Sequence, residues 1–225
     1  MTRIRRRGSL RRAWLWRVAA VTAIVTIGAP VVAVLSLRVI DPPITTVQIH
    51  RWIQHPEEKR HYDFVPLERI SPHLAAAVIA SEDARFFAHH GLDWTEIERA
   101  VEEKLNAGRL RGASTITQQL VRNLFLTTDR SVLRKGVELP LALLAEMLLS
   151  KHRILELYLN VVEWGPGVFG AEAAARYHYG LAAAGLSREQ AARLAAILPS
   201  PRKRSPAAMD GSARRIQERM KRSQP

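Results

Sequence analysis

The fold of this chain is decided by two stretches of its sequence, Glu82-Asp83-Ala84-Arg85-Phe86-Phe87-Ala88-His89-His90-Gly91 and Gly112-Ala113-Ser114-Thr115-Ile116-Thr117-Gln118-Gln119-Leu120-Val121-Arg122-Asn123. The first stretch lies at the end of an apolar run that predicts a helix over residues 74–87. In the second, polar residues recur at every fourth position and apolar residues recur on the opposite side, which predicts an amphipathic helix. The polar side holds Ser114, Gln118 and Arg122, and the apolar side holds Ile116, Leu120 and Leu124.

Start and stop signals extend the helical pattern along the chain. Ser71 before Pro72 predicts the N-cap of the first helix. The other signals are a capping box of Asp93 with Glu96, a stop at Gly108, a cap at Ser114, a helical stretch from Ser131 to Asn160 with a break at Pro140, and a helix that opens with Ser187 and Gln190 and ends near Pro199. At Pro140 a kink or a fresh start of the helix is expected, because proline inside a helix costs about 3 kcal/mol. Since strand-like alternation is nowhere sustained, the sequence predicts a mostly α fold.

The charge of the chain is concentrated at its two ends. The net charge is +13, of which +7 lies in residues 1–17 and +6 in residues 201–225, so the residues between them are neutral overall. A nucleic-acid-binding domain would carry clustered Lys and Arg on its folded part, so this distribution argues against nucleic acid as a partner. The chain has no cysteine, which excludes disulfides and thiolate metal sites.

An uncharged run of twenty residues, 18–37, follows the arginine-rich start. It is long enough to cross a hydrocarbon core of about 30 Å as a helix. The seven preceding arginines predict a cytoplasmic N-terminus with the rest of the chain outside the cytoplasm. A cleaved signal peptide is the alternative, but the run is long and no small-residue cleavage site follows it, which favours an uncleaved anchor.

Four blocks of sequence resemble the signature motifs of the peptidoglycan glycosyltransferases, the family that also forms the N-terminal catalytic domain of class A penicillin-binding proteins. The first two are the stretches quoted above. The other two are Arg134-Lys135-Gly136-Val137-Glu138 and Lys151-His152-Arg153-Ile154-Leu155-Glu156-Leu157-Tyr158-Leu159-Asn160, in the family's order and spacing. The resemblance covers residues 63–205, so the chain is similar to the stand-alone form of these enzymes. It implies a lysozyme-like helical domain with a smaller lobe that associates with the membrane.

These features divide the chain into five predicted parts. They are a basic cytoplasmic tail (1–17), a transmembrane helix (18–37), a juxtamembrane linker (38–62), a peptidoglycan glycosyltransferase domain (63–205) and a basic C-terminal tail (206–225). The implied location is the bacterial inner membrane, crossed once, with the catalytic domain on the periplasmic side.

The resemblance assigns roles to eight residues. Glu82 is the implied catalytic base, and Glu138 is a second essential carboxylate. The implied substrate-binding residues are Asp83, Ser114, Gln118, Arg122, Arg134 and Lys135. Arg122 stands where the family usually has lysine, which keeps the charge but changes the geometry of a phosphate contact. The role of His89 stays open between hydrogen bonding and catalysis, whereas Lys151, Glu156 and Asn160 are expected to be architectural.

The implied reaction is the inverting polymerisation of lipid II. Glu82 would activate the 4-hydroxyl of the N-acetylglucosamine of lipid II, which attacks the growing glycan and displaces undecaprenyl pyrophosphate. The family allows a divalent cation, Mg²⁺ or Mn²⁺, to assist the leaving group, but no spacing in the sequence requires a metal or another cofactor. Lipid II, the growing glycan-undecaprenyl pyrophosphate and the membrane are the expected partners. Protein partners in wall synthesis or division fit the family, and the sequence identifies none.

Two other interpretations compete with this one. A membrane-bound lytic transglycosylase or lysozyme-like hydrolase also uses a helical fold and a key glutamate, but it has no pyrophosphate to stabilise. A non-catalytic anchored protein that binds wall or lipid would leave the four motifs unexplained.

Three further patterns in the sequence bear on its structure and function. Gly165-Pro166-Gly167-Val168-Phe169-Gly170 fits a dinucleotide-binding pattern but follows a helical segment, so we predict a turn. Ser200-Pro201-Arg202-Lys203 fits a transpeptidase pattern, but too little chain remains for the other transpeptidase motifs. Residues 104–112 mix glycine, cations and isolated leucine, which predicts a mobile loop that faces the membrane, with an ordinary solvated connector as the alternative.

Overall fold

The computed structural model describes residues 14–18, 21–22, 24–107, 114–127 and 131–222. The chain forms two units, Met1–Ile40 and Asp41–Pro225. In the first unit, residues 14–18 and 21–22 are helical, Ile24–Gly28 forms a π-helical turn, and helix α1 spans Ala29–Ser36. Within the described residues, no helix has both the length and the apolar character needed to cross a membrane.

The second unit is mostly helical, which confirms the predicted fold class in its coarse form. Its helices are α2 (Thr46–Gln54), α3 (Pro72–Glu82), α4 (Trp94–Ala107), α5 (Ile116–Phe125), α6 (Val132–Leu148), α7 (Lys151–Val161), α8 (Ala171–Tyr179), α9 (Arg188–Ile197) and α10 (Asp210–Arg222). Helix α9 packs against α3 and α10, and α5 packs against α6 and α7. The core between them includes the fully buried side chains of Leu74, Leu120, Leu157, Tyr158 and Leu194.

A small sheet, absent from the sequence prediction, joins the ends of these helices. Strand β1 (His61–Tyr62) pairs in parallel with β3 (Val168–Phe169), which pairs antiparallel with β2 (Glu163–Gly165). Strands of two or three residues are too short to show an alternating pattern, which is why they were missed. The turn predicted at residues 165–170 is confirmed as the β2–β3 hairpin and the entry to α8. A Cβ at Gly170 would lie 2.5 Å from the carbonyl oxygen of Asn160, and its φ is +87°, so only glycine fits there.

Of the two outcomes expected at Pro140, a kink or a fresh start, the fresh start is wrong. Helix α6 runs through Pro140, and the chain breaks nine residues later, at the C-cap Leu149. The proline removes a single helical hydrogen bond, while α6 is capped by Ser131 and packed along α5. Tertiary packing therefore outweighs the local cost of the proline. Helix α7 then starts at its own N-cap, Ser150.

Two segments predicted to be irregular contain helices. Helix α2 lies in the predicted linker, starts at the N-cap Thr45 and packs against α5. Helix α10 lies in the predicted basic tail and buries Ala213, Ile216 and Met220, at spacings of three and four residues, against α9 and α3. The sequence did not predict this apolar face, because the many cations on the other faces of the helix dominate the composition of the segment.

The fourth motif is architectural, as expected. Asn160 accepts a hydrogen bond from the backbone N–H of Val65 at 2.9 Å and donates one to the carbonyl of the same residue at 2.8 Å. Glu156 accepts from the backbone N–H of Leu67 at 2.7 Å. These contacts fasten the segment before α3 to α7. The prediction of a membrane-facing loop at 104–112 is wrong for residues 104–107, which form the last turn of α4, and its remaining residues, 108–112, lie outside the described part of the chain.

Candidate active site

Glu82 is the last residue of α3. The helix was predicted to continue to residue 87, but it ends here because Asp83 leaves the helical conformation as its C-cap. Glu82 Oε2 accepts a hydrogen bond of 2.9 Å from Nε2 of Gln119 on α5. The hydroxyl of Tyr158, which is fully buried on α7, donates to Gln119 Oε1 at 2.9 Å. Because the phenol fixes the amide oxygen, the NH₂ group of Gln119 points to Glu82.

The pKa of Glu82 is raised above the ordinary value for glutamate. Burial of the carboxyl is the largest cause, the hydrogen bond from Gln119 opposes it, and the neighbouring charge of Asp83 adds to it. The charges of Arg122 and Arg204 lower the pKa by smaller amounts. A partly desolvated carboxyl of this kind suits general-base catalysis near neutral pH.

Asp83 links the two stretches of sequence that were quoted first, residues 82–91 and residues 112–123. Its buried carboxylate accepts from the backbone N–H of Ile116, the first residue of α5, at 3.0 Å. The same carboxylate lies 2.9 Å from Nε2 of the buried His89. A carboxylate at a helix N-terminus meets unpaired N–H groups and the positive end of the helix dipole. These contacts give Asp83 and His89 a positioning role, and direct contact of Asp83 with substrate stays a prediction.

Glu138 gathers three cations around one buried carboxylate. It is completely inaccessible to solvent and accepts from Nε of Arg122 at 3.1 Å, from Lys135 Nζ at 2.7 Å and from Arg134. Burial is the largest single influence and acts to raise the pKa of Glu138, but the hydrogen bonds and charges of Lys135 and Arg122 together outweigh it, so the net pKa is lowered. Glu138 is therefore ionised, and three cations with one carboxylate leave the cluster a formal charge of +2.

The remaining predicted residues lie next to this cluster. Lys135 Nζ is 3.4 Å from Ser114 Oγ and 3.4 Å from Gln118 Oε1. Gln118 is buried, and it forms the capping box of α5 with Thr115, which is the N-cap in place of the predicted Ser114. Gln118 thus holds the start of α5 and the position of Lys135. A contact of its side chain with substrate stays a prediction.

The eight predicted residues fall into two neighbouring groups. Glu82 and Asp83 lie at the end of α3. The other six residues belong to the cationic cluster around Glu138 or lie next to it. Arg122 connects the groups, because its charge lowers the pKa of both glutamates. Gln119 and Tyr158 were missed. The consecutive pair Gln118-Gln119 was a signal that one amide faces the helix start and the other faces a different side of α5.

A pocket of about 190 Å³ opens beside Glu82. Helices α3, α4 and α10 and the segment just before α5 contribute to its lining, through residues that include Glu82, Glu96, Ser114 and Arg219.

One group of side chains near this pocket has the composition of a metal site. Candidate ligand atoms of Asp83, His89 and Asp93, all buried, lie within 4.8 Å of one another. However, Asp83 is already bonded to His89 and Ile116, and Asp93 Oδ1 accepts from the N–H of Glu96 at 3.2 Å and lies 3.4 Å from Arg85 Nη1. These contacts explain the group as a hydrogen-bonded capping network, and we assign no metal to it.

Comparison with known proteins identifies the family. The sequence model of the family described as transglycosylase matches residues 48–224. The chain belongs to the transglycosylase family. Proteins named biosynthetic peptidoglycan transglycosylase are similar to it over most of its length. The one from Rhodospirillum centenum is 51% identical over 193 residues, which cover 85% of this chain and 82% of the relative.

Two further relatives have a similar degree of sequence identity to this transglycosylase. The protein from Rhodopseudomonas palustris is 46% identical over 193 residues, or 85% of this chain and 84% of its own. The protein from Pseudomonas aeruginosa is 50% identical over 183 residues, or 80% of this chain and 79% of its own. The match begins inside α2 and ends after α10, so the two helices absent from the sequence prediction are part of the transglycosylase domain. The chain is thus an enzyme, a peptidoglycan glycosyltransferase.

Proposed function

We propose that this transglycosylase polymerises lipid II into glycan strands, with inversion and with release of undecaprenyl pyrophosphate. The observation that carries the proposal is the pairing of a partly buried carboxyl of raised pKa, Glu82, with a separate cluster of net charge +2 around Glu138. Extension of a glycan from a diphospholipid-linked donor requires both a base and cations.

Glu82 acts as the base in the proposed step. Its ionised carboxylate takes the proton of the 4-hydroxyl of the N-acetylglucosamine of lipid II. The freed oxygen attacks the anomeric carbon of the terminal N-acetylmuramic acid of the growing chain from the face opposite the diphosphate. The new C–O bond forms as the bond from that carbon to the diphosphate oxygen breaks. Gln119 keeps the carboxylate oriented throughout, because Tyr158 fixes its amide.

The cationic cluster stabilises the leaving diphosphate. Arg122 and Lys135 are partly exposed, with 26% and 40% of their side chains accessible, whereas Glu138 is not accessible. Arg122 and Lys135 can therefore donate hydrogen bonds to a phosphate, while the buried carboxylate of Glu138 keeps their side chains in position. A hydrolase that cleaves glycan has no diphosphate to bind, so the cluster favours the synthetic reaction over the lytic alternative.

The proposed step uses no divalent cation bound by the protein. Mg²⁺ prefers carboxylate and other oxygen ligands, but the carboxylate of the cluster, Glu138, is already engaged by three cationic side chains. These residues do not fit a resident divalent cation. Any Mg²⁺ or Mn²⁺ brought by the substrate would belong to the diphosphate.

We also propose that residues 18–37 anchor the enzyme in the bacterial inner membrane, with the N-terminus in the cytoplasm. The support is the uncharged run after seven arginines. Large apolar side chains on α6 that lie exposed to solvent suit a lobe in contact with lipid: Leu133 (85% exposed), Val137 (51%) and Met147 (79%). A reporter that is active only outside the cytoplasm, fused after Pro225, tests the orientation. Activity of a cytoplasm-only reporter would contradict it.

A polymerisation assay on the purified full-length protein tests the proposed function. Labelled lipid II in detergent or vesicles is the substrate, and the products are resolved by glycan length. We expect a ladder of glycan strands. A hydrolase would instead shorten preformed glycan and leave lipid II unpolymerised, and a non-catalytic binding protein would do neither.

A further inference from the structure

Strand β1 forms one edge of the small sheet. Its neighbour on one side is β3, and among the described residues no strand pairs with its other side. In a parallel ladder, one residue turns both its N–H and its C=O toward the neighbouring strand, and the next residue turns both away from it. The N–H of His61 donates to the carbonyl of Gly167 on the β3 side at 2.8 Å. The backbone N–H and C=O of Tyr62 therefore point to the open edge.

A groove of about 450 Å³ runs along this edge. It is lined by the four consecutive residues 60–63 and by three residues of α8, namely Ala173, Arg176 and Tyr177. Successive side chains of a strand point to opposite faces. The contacts of β1 show this, because the hydroxyl of Tyr62 donates to the carbonyl of Pro42, whereas the ring of His61 lies 6.1 Å from the ring of Tyr177. A groove that touches all four residues must therefore follow the backbone edge and not a single face of the strand.

Helix α8 forms the opposite wall of the groove. Its three lining residues lie at spacings of three and four, so they share one face of the helix. Tyr177 is 56% exposed although its ring contacts His61, and Ala173 beside it is small and buried. An exposed aromatic ring next to a small residue offers apolar surface to a side chain of a bound molecule. A groove between a sheet edge and a helix is the geometry in which an extended peptide binds as an additional strand, through main-chain hydrogen bonds.

The charges of the groove indicate which peptide it favours. Its lining holds the guanidinium groups of Arg60 and Arg176 and the carboxylate of Asp63, an excess of one positive charge. Arg60 is fixed by a hydrogen bond to Gln48 at 3.1 Å. Arg176 contacts the buried Glu172 at 2.7 Å, but 62% of its side chain is accessible, so its fork can also reach a carboxylate in the groove. Charge complementarity thus favours an acidic occupant over a basic one.

We propose that the groove between β1 and α8 binds an extended, acidic segment of a partner protein as an additional strand beside β1. The backbone of Tyr62 pairs with the bound segment, Tyr177 packs against one of its apolar side chains, and Arg176 pairs with one of its carboxylates. The lining includes none of the residues assigned to polymerisation. The proposal is therefore independent of the proposed function, and a docked partner would leave the catalytic side chains free.

A random peptide library supplies the probe for the test. Phage that display twelve-residue random peptides are selected against the immobilised full-length protein in detergent. We expect enrichment of acidic peptides that alternate apolar and polar residues and lack proline in the paired stretch, because proline has no N–H to donate. The most enriched peptide is then synthesised, and its affinity is measured by fluorescence anisotropy.

Residue-resolved hydrogen exchange locates the bound peptide. Saturation with the peptide should slow exchange of the Tyr62 amide at least about tenfold, because this N–H gains a partner. The amide of His61 should change much less, since it is already bonded to Gly167. A version of the peptide with lysine in place of each acidic residue should bind more weakly.

Two variants test the wall of the groove. Tyr177→Ala should weaken peptide binding about tenfold, in line with the loss of an aromatic contact. Arg176→Gln should weaken it about two- to fivefold, as expected for an exposed ion pair. Arg193→Gln is the matched control, because Arg193 also pairs with the glutamate four residues before it but lies on α9, outside the groove. The control should bind the peptide like the wild type, and all three variants should polymerise lipid II at the wild-type rate when no peptide is present.

Several results would overturn the proposal. They are a selection that enriches no extended acidic peptide, an unchanged exchange rate of the Tyr62 amide, and an equal loss of affinity in Arg193→Gln. Slower exchange across residues 60–63 with a soluble N-acetylglucosamine tetrasaccharide, and not with the peptide, would instead make this a sugar-binding groove. If Tyr177→Ala lowers the melting temperature, the exchange of the Tyr62 amide in the wild-type protein decides the question.

Discussion

Gln119 Nε2 donates a hydrogen bond of 2.9 Å to Glu82 Oε2, and this bond links the end of α3 to the middle of α5. The bond lowers the pKa of Glu82, while burial raises it by more. The balance of these two effects decides at which pH the proposed base is ionised. Gln119 is therefore the residue through which the base can be tuned without altering the carboxyl itself.

Substitution of Gln119 by leucine should move the acid limb of the pH–rate profile to higher pH. A base works when it is deprotonated, so the rate rises with pH as Glu82 loses its proton. Removal of the hydrogen bond raises the pKa of Glu82 further, and a higher pH is then needed for the same ionised fraction. The measurement is kcat/KM for lipid II across pH. An acid limb at the wild-type position would show that Gln119 does not control Glu82.

Glu82→Gln should make the folded protein more stable at neutral pH. The folded-state pKa of Glu82 is raised by burial, so the wild type loses stability as pH rises through the unfolded and then the folded pKa. Glutamine carries no charge to desolvate. Melting temperatures of the two proteins should differ most above the folded pKa and converge below about pH 4, near the unfolded value for glutamate. Equal melting temperatures at all pH values would contradict the claim that the folded state desolvates the carboxyl of Glu82.

Glu138→Gln should lower both activity and stability. The substitution removes the negative charge that holds Arg122, Arg134 and Lys135 together, and it leaves them to repel one another. We expect a loss of about 1–3 kcal/mol in the free energy of unfolding, from urea titration, because a buried partner is removed from charged groups.

Glu172→Gln is the matched control for Glu138. Glu172 is also a buried glutamate on a helix, and it pairs with Arg176 at i+4 and accepts from the N–H of Ala183. Its substitution should lower stability and leave kcat near the wild-type value. If Glu138→Gln behaves in the same way, Glu138 is a structural residue with no part in leaving-group stabilisation.

Arg122→Lys should be well tolerated, and Arg122→Ala should lose most activity. Arg122 contributes its charge to both Glu82 and Glu138, and lysine keeps that charge although it loses the second N–H contact to Glu138, which is 3.5 Å in the present structure. Steady-state rates of polymerisation distinguish the variants. Wild-type activity in Arg122→Ala would show that Arg122 takes no part in stabilising the leaving diphosphate.

Much of the helical fold follows from local signals in the sequence. The capping box of Ser187 with Gln190 is present at the start of α9, and Asp93 caps α4 through the N–H of Glu96. Such caps depend on side chains three residues apart, so a single sequence contains all the information they need. Arg134, Lys135 and Glu138 also lie close together along α6, but their assignment to the site followed from the resemblance of their block to the family's motif and not from a local signal.

The features that were missed depend on distant parts of the chain. The bond from Gln119 to Glu82 joins residues 37 positions apart, and the sequence does not reveal which of two adjacent glutamines makes it. Helix α10 looks like a charged tail until its small apolar face meets α3 and α9. Helix α6 passes through Pro140 because its packing on α5 compensates for the local cost. In each case, contacts between residues far apart in the chain determine the structure, and the local sequence does not reveal those contacts.

The central claim is that Glu82 is the base of a lipid II polymerase, and single-turnover kinetics of Glu82→Gln test it most directly. The enzyme is saturated with labelled lipid II, and the rate of the first glycosidic bond is compared with the wild type, with lipid II binding measured separately. General-base catalysis is worth about 10²- to 10⁴-fold, so the account predicts a loss of at least about hundredfold in rate with lipid II affinity preserved. A rate within about tenfold of the wild type at equal affinity would contradict the assignment of Glu82 as the base.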